Sequence, residues 1–144
     1  MLLLIRGDFV DLSRMKARKI AMIILYQILL YDKNKIEYDI DKVISDNILD
    51  NNEYIENMIK GIVNDLDNLK ELANKYLDTW PLNRLGLTDQ AIILIGIYEL
   101  INTDTPDIVC INEAVELSKK YSDESVTKMI NAMLDNIYHK ELKR

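Results

Sequence analysis

Between Thr88 and Ile101 the chain carries a run that is apolar on almost every side: Ala91, Ile92, Ile93, Leu94, Ile95, Ile97, Tyr98 and Leu100. Wound at 100° per residue, these residues predict a helix with no wide polar face. Such a helix has to sit centrally, with other elements laid around it. Thr88 is placed to cap it, with Asp89 in its first turn. The 144 residues hold only 4 Gly and 2 Pro, too little punctuation for many tight turns, so the elements around the central helix are expected to be helices as well.

The remaining periodicity agrees. Ser13 is a plausible cap for a first helix whose stripe is Ala17, Ile20, Ala21, Ile24, Leu25 and Ile28. A second helix is expected over 37–49, with Ile40, Val43, Ile44 and Ile48 inward. A third follows Asp50-Asn51-Asn52 over 53–66 and buries Ile55, Met58, Ile59, Ile62 and Val63. The fourth buries Leu66, Leu69, Leu72, Ala73, Tyr76 and Leu77, and Trp80–Gly86 is irregular. Pro106 opens a sixth helix with Val109, Ile111 (or Cys110), Ala114, Val115 and Leu117 inward. Ser122 is expected to cap a seventh, with Val126, Met129, Ile130, Met133, Leu134 and Ile137 on its apolar face. The sum is an all-α domain of about seven helices.

Charge divides the chain unevenly. Residues 1–35 carry 7 Lys/Arg against 3 Asp/Glu, while the whole chain has a net charge of −6. The basic head is Arg14, Lys16, Arg18 and Lys19. Placed at a helix start, these cations oppose the helix dipole, a local inconsistency of the kind expected at a functional site. The bland reading of four clustered cations is a solvated helix end. The alternative is a polyanionic partner, with each phosphate neutralised on a single strand adding about 0.7 to the log–log salt slope.

Other chemistry finds little support. One cysteine, Cys110, cannot form an internal disulfide, and one histidine, His139, cannot build a metal site with it alone. A small core thiol is the simpler reading of Cys110, and a reducing, cytoplasmic compartment is expected. Glu113 and Glu116 stand at i,i+3, but no histidine or third ligand lies near in sequence, so bracing of neighbouring helices outweighs catalysis. No cofactor motif is seen, and no enzyme is expected. Apolar runs such as Ala21–Tyr26 are too short to span a bilayer, and Leu2–Ile5 is too short for a signal peptide. Trp80 is read as a core anchor in preference to a base-stacking platform. Tyr121, beside Lys119 and Lys120, stays open between packing and stacking on a base.

Several stretches, taken together and in order, resemble the NusB family of transcription antitermination factors. They are Ala17-Arg18, Ala21 and Leu25-Tyr26-Gln27; then Trp80, Arg84-Leu85, Asp89, Ala91-Ile92 and Tyr98-Glu99-Leu100. Pro106 followed by INEAVEL (111–117) and the closing KMINAMLD (128–135) complete the set. The resemblance covers Leu12 to Tyr138. It implies the NusB-like fold, two small helical bundles packed together. It also implies a non-catalytic role: pairing with NusE, a small-subunit ribosomal protein, and binding boxA-type single-stranded RNA. This assembles an antitermination complex on RNA polymerase, chiefly on ribosomal RNA operons.

Carried over by position, the resemblance assigns RNA contacts to Arg14, Lys16, Arg18 and Lys19, and to Tyr121, Ser125, Lys128 and Met129. Tyr26 and Asp89 match positions facing NusE. Met129 stands where the family often has an aromatic, Gln90 and Leu94 where it often has a cation, Ala132 for a Gly and Cys110 for an Ala. RNA binding is therefore expected to need the partner. Leu12 aligns where family members begin, so residues 1–12 are read as an extension, with residues 1–11 the product of a start called too far upstream. The domain is expected over 13–140, with 141–144 a fraying tail. Two other readings stand beside this one. One is a detached NusB-like domain of a ribosomal RNA cytosine methyltransferase; the other is a protein-only helical adaptor. A homodimer in isolation is also compatible with the family.

Overall fold

The apolar run folds as expected into a central helix, α5 (Leu87–Asn102), buried over Ala91–Ile97 and again at Glu99 and Leu100. A computed structural model of the chain describes residues 6–48 and 52–142. Among these residues no strand occurs. Six further α-helices surround α5: α1 (Arg6–Lys33), α2 (Ile40–Asn47), α3 (Glu53–Asn64), α4 (Leu66–Tyr76), α6 (Asp107–Tyr121) and α7 (Glu124–Ile137). Helices α1, α2 and α3 make one small bundle and α4 to α7 the other. α5 touches α1, α3, α4, α6 and α7, so it belongs to both. Ile92, Ile93, Leu94, Ile97 and Leu100 are fully enclosed. Each contributes about 1.5–3 kcal/mol of transfer free energy before conformational entropy is subtracted.

The expected stripes supply the centre of each observed core, while flanking positions such as Ile20, Val63, Leu72 and Met129 are only half-buried. On α1, Ala17, Ala21, Ile24, Leu25 and Ile28 are buried, with Met22 and Leu29 beside them. On α3 the buried set is Ile55, Met58, Ile59 and Ile62. On α7 it is Val126, Ile130, Met133, Leu134 and Ile137. α6 resolves the open choice in favour of Cys110, with Ala114, Leu117 and Ser118, while Val109 is left 37% exposed.

Helix ends differ more. The backbone is already helical at Arg6, because nothing between Arg6 and Ser13 breaks the turn, so Ser13 is not a cap. The basic head thus lies two turns inside α1, and the dipole conflict inferred from a start at Ser13 does not arise. Residues 1–5 of the expected extension lie outside the described residues. Gly86, not Thr88, takes the cap position of α5. Asp123, not Ser122, caps α7, its carboxylate accepting from the Val126 amide at 3.0 Å. Asp39 and Asn52 cap α2 and α3 in the same way. Residues 143–144 of the expected tail lie outside the described residues; before them Tyr138–Leu142 continues as a wider turn, and Glu141 accepts from Lys75 Nζ at 2.8 Å and from the Tyr76 hydroxyl.

At Gly96, side chains of α6 and α7 pack closely against α5. A Cβ there would lie 3.1 Å from Leu134 Cδ1 and 3.2 Å from Ala114 Cβ. Gly96→Leu should therefore destabilise the protein by about 3 kcal/mol, the upper end for overpacking a dense core. Chemical denaturation checks it, and an unchanged midpoint would show that α6 and α7 can move apart freely.

Candidate functional site

The basic head sits on one turn and a half of α1, but its four cations part company. Arg18 turns inward and is 4% exposed. Its Nε donates to Glu99 Oε1 at 2.7 Å and its Nη2 to Glu99 Oε2 at 2.9 Å. The Tyr54 hydroxyl donates to the same Oε2 at 3.0 Å, and Glu113 Oε2 lies 3.9 Å from Arg18 Nη1. Burial works against the guanidinium's charge, yet the Glu99 hydrogen bonds and charge outweigh it, and the Arg18 pKa ends above its ordinary value. Burial, then Glu99, raises the Tyr54 phenol. This network ties α1 and α3 to α5. Of the four cations assigned to RNA by the resemblance, Arg18 is therefore the one whose guanidinium is already engaged, through Nε and Nη2, by a carboxylate.

Arg14 shares the flank of Arg18 and is exposed, its guanidinium 4.4 Å from the centre of the Tyr54 ring. It borders an open cleft of about 960 Å³ between α1, α3 and the α5–α6 loop, where Asp104 and Glu113 also stand. Lys16 and Lys19 are exposed on the opposite flank. They line a second cleft, about 560 Å³, whose far wall is the end of α6: Glu113, Glu116, Leu117, Lys120 and Tyr121. Tyr121 is 40% exposed, which favours the stacking reading left open above.

The chain then turns through Ser122 into α7. Across that turn a third cleft, about 390 Å³, joins the first turns of α7 to the loop before α5. Ser125 and Met129 line it from α7, and Trp80 and Arg84 from the loop. Lys128 is exposed one position away, 3.6 Å from Glu124. The structure therefore brings together Lys16, Lys19, Tyr121, Ser125 and Met129 on either side of one turn, with Lys128 nearby, while Arg18 stands at the buried edge of the lysine-lined cleft with its guanidinium held by Glu99. Two residues missed by sequence reasoning join them. Lys120 had a signal, since helical pitch puts it beside Tyr121. Trp80 was weighed and read the other way: it is 48% exposed, not a core anchor, and Leu82 fills the core position instead.

Tyr26 is 38% exposed on the outer face of α1, in a stripe with Ile23 and Leu30. Asp89 is half-buried in the first turn of α5. Neither lines the clefts above. Gln90 and Leu94, where the resemblance expects cations, are buried, and the Gln90 amide donates to the Leu85 carbonyl at 2.9 Å. Cys110 is buried, and burial pushes its thiol up to about 12, a poor nucleophile.

The sequence profile of the NusB family matches residues 15–139. This chain belongs to the NusB family. A transcription antitermination protein NusB from Campylobacter jejuni is 32% identical over 125 residues, spanning 85% of this chain and 93% of that one. The Lactococcus lactis protein of the same name is 44% identical over 85 residues, covering 58% of this chain but only 44% of its own length. Among solved structures, T. maritima NusB superposes with a TM-score of 0.74 at 28% identity, covering 88% of this chain and 91% of that one. The structure of NusB and NusE in complex with double-stranded RNA gives 0.72 at 24% identity, covering 87% and 95%, and speaks to the fold. No helix of the described residues is long and apolar enough to cross a membrane.

Proposed function

We propose that this chain is a transcription antitermination factor that binds boxA-type single-stranded RNA together with NusE, and so assembles an antitermination complex on RNA polymerase in the cytoplasm. It works by assembly and carries out no reaction. The observation that supports this most is the clustering around the α6–α7 turn. Lys16, Lys19 and Lys120 surround Tyr121 on one side, and Ser125 and Met129 lie on the other. Cations that track a backbone, with aromatic faces between them, are what a single strand requires. Relatives carry the antitermination name, and NusB has been captured with NusE and RNA in a related fold. The net charge of −6, with a local excess of cations only in residues 1–35, suits a basic ribosomal protein on the remaining acidic surface. Tyr26 and Asp89 are the proposed contacts to it.

Arg18 is assigned a positioning role: it holds α1 against α5 so that Lys16 and Lys19 face outward. Charge reversal at Arg18 therefore tests folding more than recognition. The cleaner experiment is a gel shift of boxA RNA with and without NusE, repeated with Tyr26→Asp. NusE should increase the affinity for RNA, and Tyr26→Asp should abolish that increase while leaving the protein's own weak, salt-sensitive binding in place. Absence of a shift even with NusE present would favour a protein-only adaptor.

A further inference from the structure

We infer that Trp80, with Arg84 and Met129, forms a stacking site for one nucleobase of the bound single strand. The inference rests on the RNA-binding reading above and adds a residue to it. An indole left 48% exposed forgoes a large burial. Looseness of its loop does not explain this, because the loop is pinned immediately after it. Leu82 is 2% exposed, and its amide donates to Asn74 Oδ1 at 2.7 Å. The Arg84 amide donates to the Pro81 carbonyl and the Leu85 amide to the Leu82 carbonyl, both at 3.0 Å. The indole is thus presented by a rigid turn, an arrangement that saves ordering cost when a flat partner arrives.

The rest of the cleft has the matching chemistry, Met129 and Asp123 from the α7 side and Arg84 from the indole's own loop. Met129, on α7, offers a polarisable thioether to one edge of the slot. Arg84 is exposed and makes no ion pair among the described residues, so its charge is available to a phosphate or to a base edge. The acid of this cleft, Asp123, is occupied: its carboxylate accepts from Ser125 Oγ at 2.8 Å and from the Val126 amide at 3.0 Å. A cation, a soft edge and an open indole face select a planar group on an anionic backbone. The lysine-lined cleft across the α6–α7 turn supplies the continuation of that backbone.

Trp80 is the chain's sole tryptophan, so its fluorescence reports this site alone. Titrating the full-length protein with boxA RNA at low ionic strength should quench that emission, in step with binding followed by anisotropy of end-labelled RNA. Trp80→Ala should weaken binding about 5- to 150-fold, the range for loss of one base–aromatic stack. Trp80→Phe should retain most of the affinity, and thermal melting should show both variants folded. RNA with single abasic positions, phosphates intact, should lose the quench at one position. Binding without quenching, with Trp80→Ala unchanged, would overturn the inference and leave the RNA reading standing. Loss of NusE binding alone on Trp80→Ala would assign the indole to the protein partner and also overturn it. Failure of the wild-type protein to bind RNA at all would remove both.

Discussion

Glu99→Ala should lower the unfolding free energy by about 3–5 kcal/mol, a large part of the stability of a domain this size. Glu99 is 2% exposed and accepts from two donors of Arg18 and from the Tyr54 hydroxyl. Truncating it strands a buried guanidinium and a half-buried phenol without an acceptor, and that desolvation cost, more than the lost attraction, sets the size of the effect. The same reasoning makes a second, less intuitive demand. Replacing both ends with apolar groups, Arg18→Met with Glu99→Leu, should recover most of the loss, since no unpaired charge remains. Urea unfolding of the single and double variants measures both. A loss below about 1 kcal/mol in Glu99→Ala would mean that water reaches Arg18, and that the pair is far less enclosed than its geometry indicates.

On the RNA side, the largest expected effect belongs to the two lysines that face outward. Lys16→Gln with Lys19→Gln should reduce the log–log salt slope of boxA binding by about 1.4, at about 0.7 per single-strand phosphate contact. At 0.1 M monovalent salt that corresponds to roughly 25-fold weaker binding, falling towards no difference as the salt approaches 1 M. Neutral glutamines are preferred to acids because reversal adds repulsion unrelated to the native contacts. Arg14→Gln is the internal comparison. Its guanidinium lies over Tyr54 and beside a cleft that also holds Asp104 and Glu113, so its removal should change the slope less than removal of either lysine. Equal effects from all three would mean that the strand wraps both flanks of α1.

The contrast between Arg14, Arg18 and the lysines shows where sequence reasoning succeeds and where it stops. The stripe on α1 was legible because buried apolar side chains repeat at helical pitch, and five of its six positions are enclosed. The pitch also placed Arg14 and Arg18 on one flank with Met22. It did not show that this flank faces α5, because facing is a property of two helices and periodicity describes one. A signal did exist: Glu99 is the one charged residue among the buried residues of α5, and a buried carboxylate demands a cation. The caps were misplaced by a residue or two because Thr88 and Ser122 are chemically as able to cap as the positions beside them. Trp80 was misread because composition weighs the residue type, whereas its exposure follows from Leu82 taking the core position two residues later.

One long helix carries three of these features. Lys19 and Tyr26 are seven residues apart on α1, which at 1.5 Å per residue sets them about 10 Å apart along a rod. The rod is clamped to α5 between its ends by Arg18 and along its length by Ile24, Leu25 and Ile28. In the proposed complex, RNA and the ribosomal protein would then meet the same rigid ruler. Neither has to reshape the protein for the other. Whichever arrives first finds the second site already at the correct span, and any cooperativity between them comes from contacts the two ligands make with each other across that fixed gap.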